Sequence, residues 1–288
     1  MTDNTDHDDV ASQAGRLLAE VAGYGRSLVA FSGGVDSSVA LAAAVRALGP
    51  AQVAAVTAVS PSLPAAELAA AGEFCAALGV THLTPRTREL DVADYRRNDP
   101  RRCYFCKSVL LDTARELAAS HGYAAVVTGT NASDVAAGFR PGIRAAAERG
   151  ARTPLADAGL TKASVRAIAR WWQLSTWDKP AAACLASRVA YGITVTPARL
   201  ARIERAEAAV RGRLHDRGHA VRDLRVRDLG DTVRLELDAE ALEQARRDPG
   251  LAGAIHGAGF AGVPVDLQAF RSGSMNEMLA DPHRWREA

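Results

Sequence analysis

Seven residues, Ser32-Gly33-Gly34-Val35-Asp36-Ser37-Ser38, separate an apolar run at 28–31 from an alanine-rich apolar run that begins at Val39. Two elements that both read as buried, joined by glycines and hydroxyls, describe a strand that turns directly into a helix. The first N–H groups of that helix have no intrahelical partner and carry the positive end of its dipole. Such a terminus binds anions. The glycines let the backbone come close to a phosphate and take positive φ, and the serines add donors. Asp36 is the odd member. A carboxylate beside phosphate is repelled unless a cation lies between them, so Asp36 points to Mg²⁺. The loop has no Gly-Lys-Ser/Thr and no G-x-G-x-x-G, which excludes the two commonest nucleotide loops. The bland alternative is a tight turn closed by an Asp cap.

The surrounding pattern supports a nucleotide site. Helices are expected at about 10–23, 37–48, 64–78, after the Cys103/Cys106 segment to about 121, and 161–172, with Thr161 as an N-cap. Strands are expected at 27–31, 52–59, 81–84 and 124–128. Strands alternating with helices at this spacing predict an α/β fold with a doubly wound parallel sheet. Residues 129–160 read as a long functional loop with a short helix, and 178–196 as irregular. Pro197 opens an amphipathic helix to about 217. Alternation at 221–227 and 232–237 around Gly230-Asp231 predicts a hairpin. A helix at 239–247 and a strand near 263–267 complete a smaller C-terminal α+β domain. The expected division is a frayed, disordered tail over 1–10, a nucleotide domain over 11–190 and a second domain over 191–288.

The 288 residues are 48% apolar, enough for a sizeable core, and carry a net charge of +2. That balance argues against strong nonspecific nucleic-acid binding. No run approaches the ~18 apolar residues of a membrane span, and the polar, acidic first ten residues are no signal peptide. The expectation is a soluble, cytoplasmic protein without a membrane partner. Four cysteines form no disulfide framework. Cys75 sits on an apolar helix and reads as an inert core residue. Cys103 and Cys106 form a C-x-x-C, compatible with metal binding, redox chemistry or a structural role. With Cys184 there are three thiols and no second C-x-x-C. Three thiolates suit an iron–sulfur cluster with one open iron better than a closed zinc site. Cys184 is flanked by Lys179 and Arg188, whose charge would favour its thiolate; otherwise it is a small core residue.

Together these motifs carry a resemblance. The loop is similar to that of the PP-loop N-type ATP pyrophosphatases, with their adenine nucleotide alpha hydrolase-like fold. Residues 101–107 (RRCYFCK), 128–134 (TGTNASD), 139–142 (FRPG), 176–180 (TWDKP), Cys184, Ser187, Arg188, Tyr191-Gly192 and 270–276 (FRSGSMN) narrow it to the LarE family of ATP-dependent sulfur transferases. The resemblance runs over nearly the full chain. It implies adenylation of the carboxylates of pyridinium-3,5-biscarboxylic acid mononucleotide and their conversion to thiocarboxylates, as in the making of the nickel-pincer cofactor of lactate racemase. Family members with one cysteine at the position of Cys184 sacrifice its sulfur. Those with three, matching Cys103, Cys106 and Cys184, hold a [4Fe–4S] cluster, and this chain has all three. Ser133 stands where an acidic residue is common. The resemblance also implies a homo-oligomer, hexameric in some members.

The roles expected are as follows. Ser32, Gly33, Gly34, Asp36, Ser37 and Ser38, with Gly129 and Asn131 past a strand end, would bind ATP, and Asp36 would hold Mg²⁺. Cys184, Lys107 and Arg188 join Asp36 as catalytic residues. Ser187, Arg188, Arg225 and Arg227 would bind the phosphate of the small-molecule nucleotide substrate, although alternation in Leu224-Arg225-Val226-Arg227 equally fits a solvated face. The rivals are a tRNA-thiolating PP-loop enzyme, an ammonia-fed synthetase and a nucleotide-binding regulator without activity.

Overall fold

The computed structural model describes residues 3–137, 141–180, 183–271 and 273–275. Phe139, Arg140, Ser272 and Asn276, all within the motifs quoted above, lie outside the described residues. The chain divides into two compact units. The first comprises 1–60, 65–89 and 103–182; the second comprises 61–64, 90–102 and 183–288. The division thus falls near 183 rather than 190, and the second unit borrows two earlier segments. Periodicity along the chain could not show this, because residues 90–102 reach their neighbours through Asn98. Its buried amide donates to the carbonyls of Val189, Ala190 and Ile193.

In the first unit, four strands form a parallel sheet of order β3-β2-β1-β4. They are β1 (Ser27–Ala30), β2 (Val53–Val56), β3 (Thr81–Leu83) and β4 (Ala125–Val127). The predicted doubly wound architecture is present. Successive residues face opposite sides. Val29, Phe31, Val53, Ala55 and Val127 join a core beneath α1 (Asp3–Ala22), α2 (Val35–Leu48) and α3 (Ala65–Ala77). Leu28, Ala30, Ala54, Val56 and Val126 join another core. Both faces are covered, which explains why the strands read as continuous apolar runs instead of alternating.

Helix α1 starts at Asp3, inside the stretch expected to be a frayed tail. No Gly or Pro interrupts residues 3–14, and Ala14, Leu17 and Val21 anchor the helix in the core. After α4 (Ala93–Arg96), α5 (Arg102–His121) begins before the cysteines instead of after them, so Cys103 and Cys106 lie in its first turns. The expected long loop holds three short helices: α6 (Ala132–Ala136), α7 (Pro141–Glu148) and α8 (Pro154–Asp157). Then comes α9 (Lys162–Trp171), capped as predicted by Thr161, whose hydroxyl accepts from the Ser164 N–H at 3.2 Å.

The second unit contains α10 (Pro197–His215), the antiparallel pair β5 (Leu224–Asp228) and β6 (Val233–Leu237), α11 (Ala239–Arg246), α12 (Leu251–Ile255) and β7 (Val265–Ala269). β7 adds to β6 in parallel, giving the order β5-β6-β7. No helix among the described residues is long and apolar enough to cross a membrane.

Candidate active site

The first unit holds the glycine loop. β1 ends at Ala30 and α2 starts at Val35 with Gly34 as N-cap and no side-chain cap. The first-turn N–H groups of α2 are therefore left for an anion. The serines are arranged differently from the expectation. Ser37 Oγ and Ser38 Oγ each donate to the Gly34 carbonyl at 3.0 Å, and Ser37 Oγ also accepts from the Ser32 N–H at 3.3 Å. Ser38 is fully buried. These hydroxyls shape the loop, and of the three only Ser32 and Ser37 pair with one another, at 3.1 Å. Gly33 has φ +72°, which a side chain adopts only with strain.

Gly129 has a steric role. A Cβ there would lie 2.7 Å from the Ser37 nitrogen and 2.8 Å from the Asp36 carbonyl carbon, both backbone atoms that cannot give way. Its bare Cα lets the end of β4 press on the start of α2. Asn131 caps α6: its Oδ1 accepts from the Asp134 N–H at 2.9 Å.

Asp36 is held above the usual carboxylate range, first by burial and then by the charge of Asp134. The Asn131 amide opposes the rise, as do Lys162 and Arg166. A buried carboxylate whose ionisation is opposed by burial and by a second carboxylate, beside an anion-binding terminus, is a donor that a divalent cation would relieve. These residues fit Mg²⁺.

Lys179, expected from the sequence as a charge flanking Cys184, reaches the glycine loop. Its ammonium donates to the Gly33 carbonyl at 3.0 Å and to Glu67 Oε2 at 2.6 Å. The sequence separation of 146 residues hid this contact. A depression of about 390 Å³ adjoins it, lined by Gly33, Ala70, Phe74, Thr176 and Lys179 among others. On α5, Lys107 follows Cys106, and burial pushes its ammonium pKa down. Cys103 is exposed and Cys106 half-buried. Cys75 is buried as expected, and burial pushes its thiol up to about 11.

The second unit holds Cys184, Ser187, Arg188, Arg225 and Arg227. Cys184 starts a 3₁₀ turn over Leu185–Arg188. Ser187 Oγ donates to the Cys184 carbonyl at 2.7 Å, and Arg188 donates to the same oxygen at 3.0 Å. Arg188 is only 3% exposed, and its remaining nitrogens grip Glu207 at 2.9 and 3.3 Å. All three of its nitrogens are engaged within the protein, so its geometry fixes the Cys184 turn. Arg225 and Arg227 lie on β5 and are buried, which overturns the solvated-face alternative. Arg227 donates to Glu236 Oε2 at 3.0 and 2.8 Å and to the Ser187 carbonyl at 3.1 Å. Arg225 stacks on Phe270 at 5.4 Å. Burial, Arg188 and Arg227 pull its pKa down. Glu207 and Glu236 face these arginines, and the charge of Asp223 also acts on Arg225.

Among the described residues, no group of three or more His, Cys, Asp or Glu side chains is gathered as metal ligands. Cys103 and Cys106 lie in one unit and Cys184 in the other.

A parallel sheet whose first strand delivers an SGGVDS loop to an uncapped helix terminus defines the PP-loop ATP pyrophosphatase class. The NAD synthase family matches residues 17–142, the stretch with the loop and both Cys103 and Cys106. An uncharacterised protein of Synechocystis is 41% identical over 257 residues, covering 88% of this chain and 93% of its own. The pyridinium-3,5-bisthiocarboxylic acid mononucleotide synthase of Lactiplantibacillus plantarum is 32% identical over 277 residues, covering 94% and 96%. An uncharacterised protein of Methanocaldococcus jannaschii is 27% identical over 61% of this chain. The chain belongs to the family of that synthase, the LarE family, and is an enzyme of the adenylating sulfur-transferase kind.

Proposed function

We propose that this enzyme adenylates the carboxylates of pyridinium-3,5-biscarboxylic acid mononucleotide with ATP and replaces their oxygen by sulfur. The observation that carries the reading is the uncapped start of α2 beside Asp36 and Asp134, in a chain that matches the synthase over almost all of both lengths. The first-turn N–H groups of α2 and the Lys179 ammonium take the charge of the leaving pyrophosphate. Asp36, with Asp134, would hold Mg²⁺, which supplies Lewis-acid neutralisation of the phosphates. Arg225 and Arg227 recognise the phosphate of the substrate, while Arg188 and Ser187 fix the backbone of Cys184. Lys107, kept less basic by burial, sits beside the thiol pair.

Three cysteines would suit a [4Fe–4S] cluster as the sulfur carrier. Cys103 and Cys106, three residues apart on α5, share a helix face and could supply two ligands. Cys184 would supply the third. The turn that Ser187 and Arg188 build at Cys184 favours a second reading, in which its thiolate attacks the acyl-adenylate, expels AMP and forms a thioester, and β-elimination then releases the thiocarboxylate and leaves dehydroalanine.

One experiment tests both. Full-length protein, purified without oxygen and treated with iron and sulfide, is incubated with ATP, Mg²⁺ and the mononucleotide. Pyrophosphate and thiocarboxylate are expected. Bound iron with unchanged protein mass supports the cluster; a loss of about 34 Da at Cys184, the mass of H₂S, supports sacrifice. Absence of pyrophosphate release would overturn the function. Tight, salt-dependent tRNA binding would favour the tRNA-thiolating rival.

A further inference from the structure

Lys179 lies in a non-helical segment, and a lysine side chain is a flexible stem with a point charge at its end. Something must aim it at the loop. Arg166, on α9, has two nitrogens on that segment: Nη1 donates to the Trp177 carbonyl at 2.9 Å and Nη2 to the Lys179 carbonyl at 3.1 Å. The two acceptors are two residues apart, so the fork pins both the orientation and the position of the turn. The turn is closed from within by Lys179 N–H to the Thr176 carbonyl at 3.1 Å and Trp177 N–H to the Leu174 carbonyl at 3.1 Å. Arg170, one turn further along α9, stacks on the Trp177 ring at 5.3 Å. α9 itself is firm, because Val165, Ile168 and Ala169 are fully buried.

We infer that Arg166 is a positioning residue for the reaction: its guanidinium clamps the 177–179 turn so that the Lys179 ammonium meets the departing pyrophosphate at Gly33. Glu67 is the resting partner of that ammonium, holding it at the loop when no anion is bound. Arg166 is exposed and contributes little to the core, yet its planar fork is what the two carbonyls require. Lysine at 166 keeps the charge and loses the fork. The inference rests on the reading of Lys179 as an anion donor, and the test separates the two.

The probe is inorganic pyrophosphate, titrated with Mg²⁺ into the full chain by calorimetry, with AMP titrated in parallel. Lys179→Met should weaken pyrophosphate binding by about 100-fold, on the scale of a hydrogen bond to a charged group. Arg166→Met should weaken it by about 10-fold and leave AMP affinity and the melting temperature unchanged. Arg166→Lys should not rescue. The double variant Arg166→Met/Lys179→Met should bind pyrophosphate no worse than Lys179→Met alone, since both act on one interaction. Additive losses, equal losses for AMP and pyrophosphate, or full rescue by Arg166→Lys would overturn the clamp while leaving Lys179 in place. Unchanged pyrophosphate binding in Lys179→Met would overturn the donor role and the clamp with it.

Discussion

On the proposed function, the glycine loop and strand β5 would both meet anions, by opposite means. At the loop, the groups offered are backbone. The hydroxyls of Ser37 and Ser38 turn inward to the Gly34 carbonyl, and the free donors are the N–H groups of an uncapped helix. At β5, the groups offered are long side chains held by buried counter-charges, with Arg227 on Glu236 and Arg188 on Glu207. A backbone cradle costs no side-chain entropy and tolerates few changes in shape. A buried arginine cluster stays buried only while its carboxylates remain, because an unpaired buried charge is expensive.

This contrast can be broken by mutation. The largest effect is expected at Asp36: Asp36→Asn should lower the rate of pyrophosphate release by about 10²–10³-fold, the scale of losing one electrostatic stabiliser, with folding intact by circular dichroism. A near-normal rate would remove Asp36 from the metal site. Next, Glu236→Gln should strip Arg227 of its counter-charge and destabilise the protein by about 3–5 kcal/mol in urea denaturation, while the loss of a loop hydroxyl, Ser38→Ala, costs only about 1 kcal/mol. Equal costs would erase the distinction between the two regions. Gly129→Ala should cost about 1–3 kcal/mol by overpacking against the α2 backbone and raise the KM for ATP, leaving substrate affinity at β5 unchanged. The smallest effect is at a site belonging to neither region: Thr161→Ala should cost about 1 kcal/mol as a lost N-cap, read as a lowered urea midpoint with activity retained.

Much of the first unit was legible because its signals are local. The order of strands and helices, the Thr161 cap and the loop itself follow from short-range patterns. The second unit was legible as elements, including the hairpin, but its chemistry was not. Alternation in Leu224-Arg225-Val226-Arg227 normally means one wet face. Here Glu207 reaches the β5 backbone from α10, and Glu236 reaches Arg227 from β6, so that face is buried too. No periodicity announces a counter-charge that arrives from another element. The sequence pattern starts α5 after the cysteines; the helix instead begins at Arg102, whose buried guanidinium donates to the Ala186 carbonyl at 2.9 Å.

The sequence alone determined that a strand hands a phosphate-sized, glycine-lined turn to a helix terminus, and that an acid and three thiols accompany it. These are properties of residue type and spacing, fixed by backbone sterics and the helix dipole. Only the tertiary structure decided which groups complete the sites. Lys179 meets Gly33 across 146 residues, Gly129 makes room for α2, and Glu207 and Glu236 bury a cluster of arginines. The reason is physical: a charge or a missing side chain acts over a few ångströms of space, and the chain does not record that distance in its order.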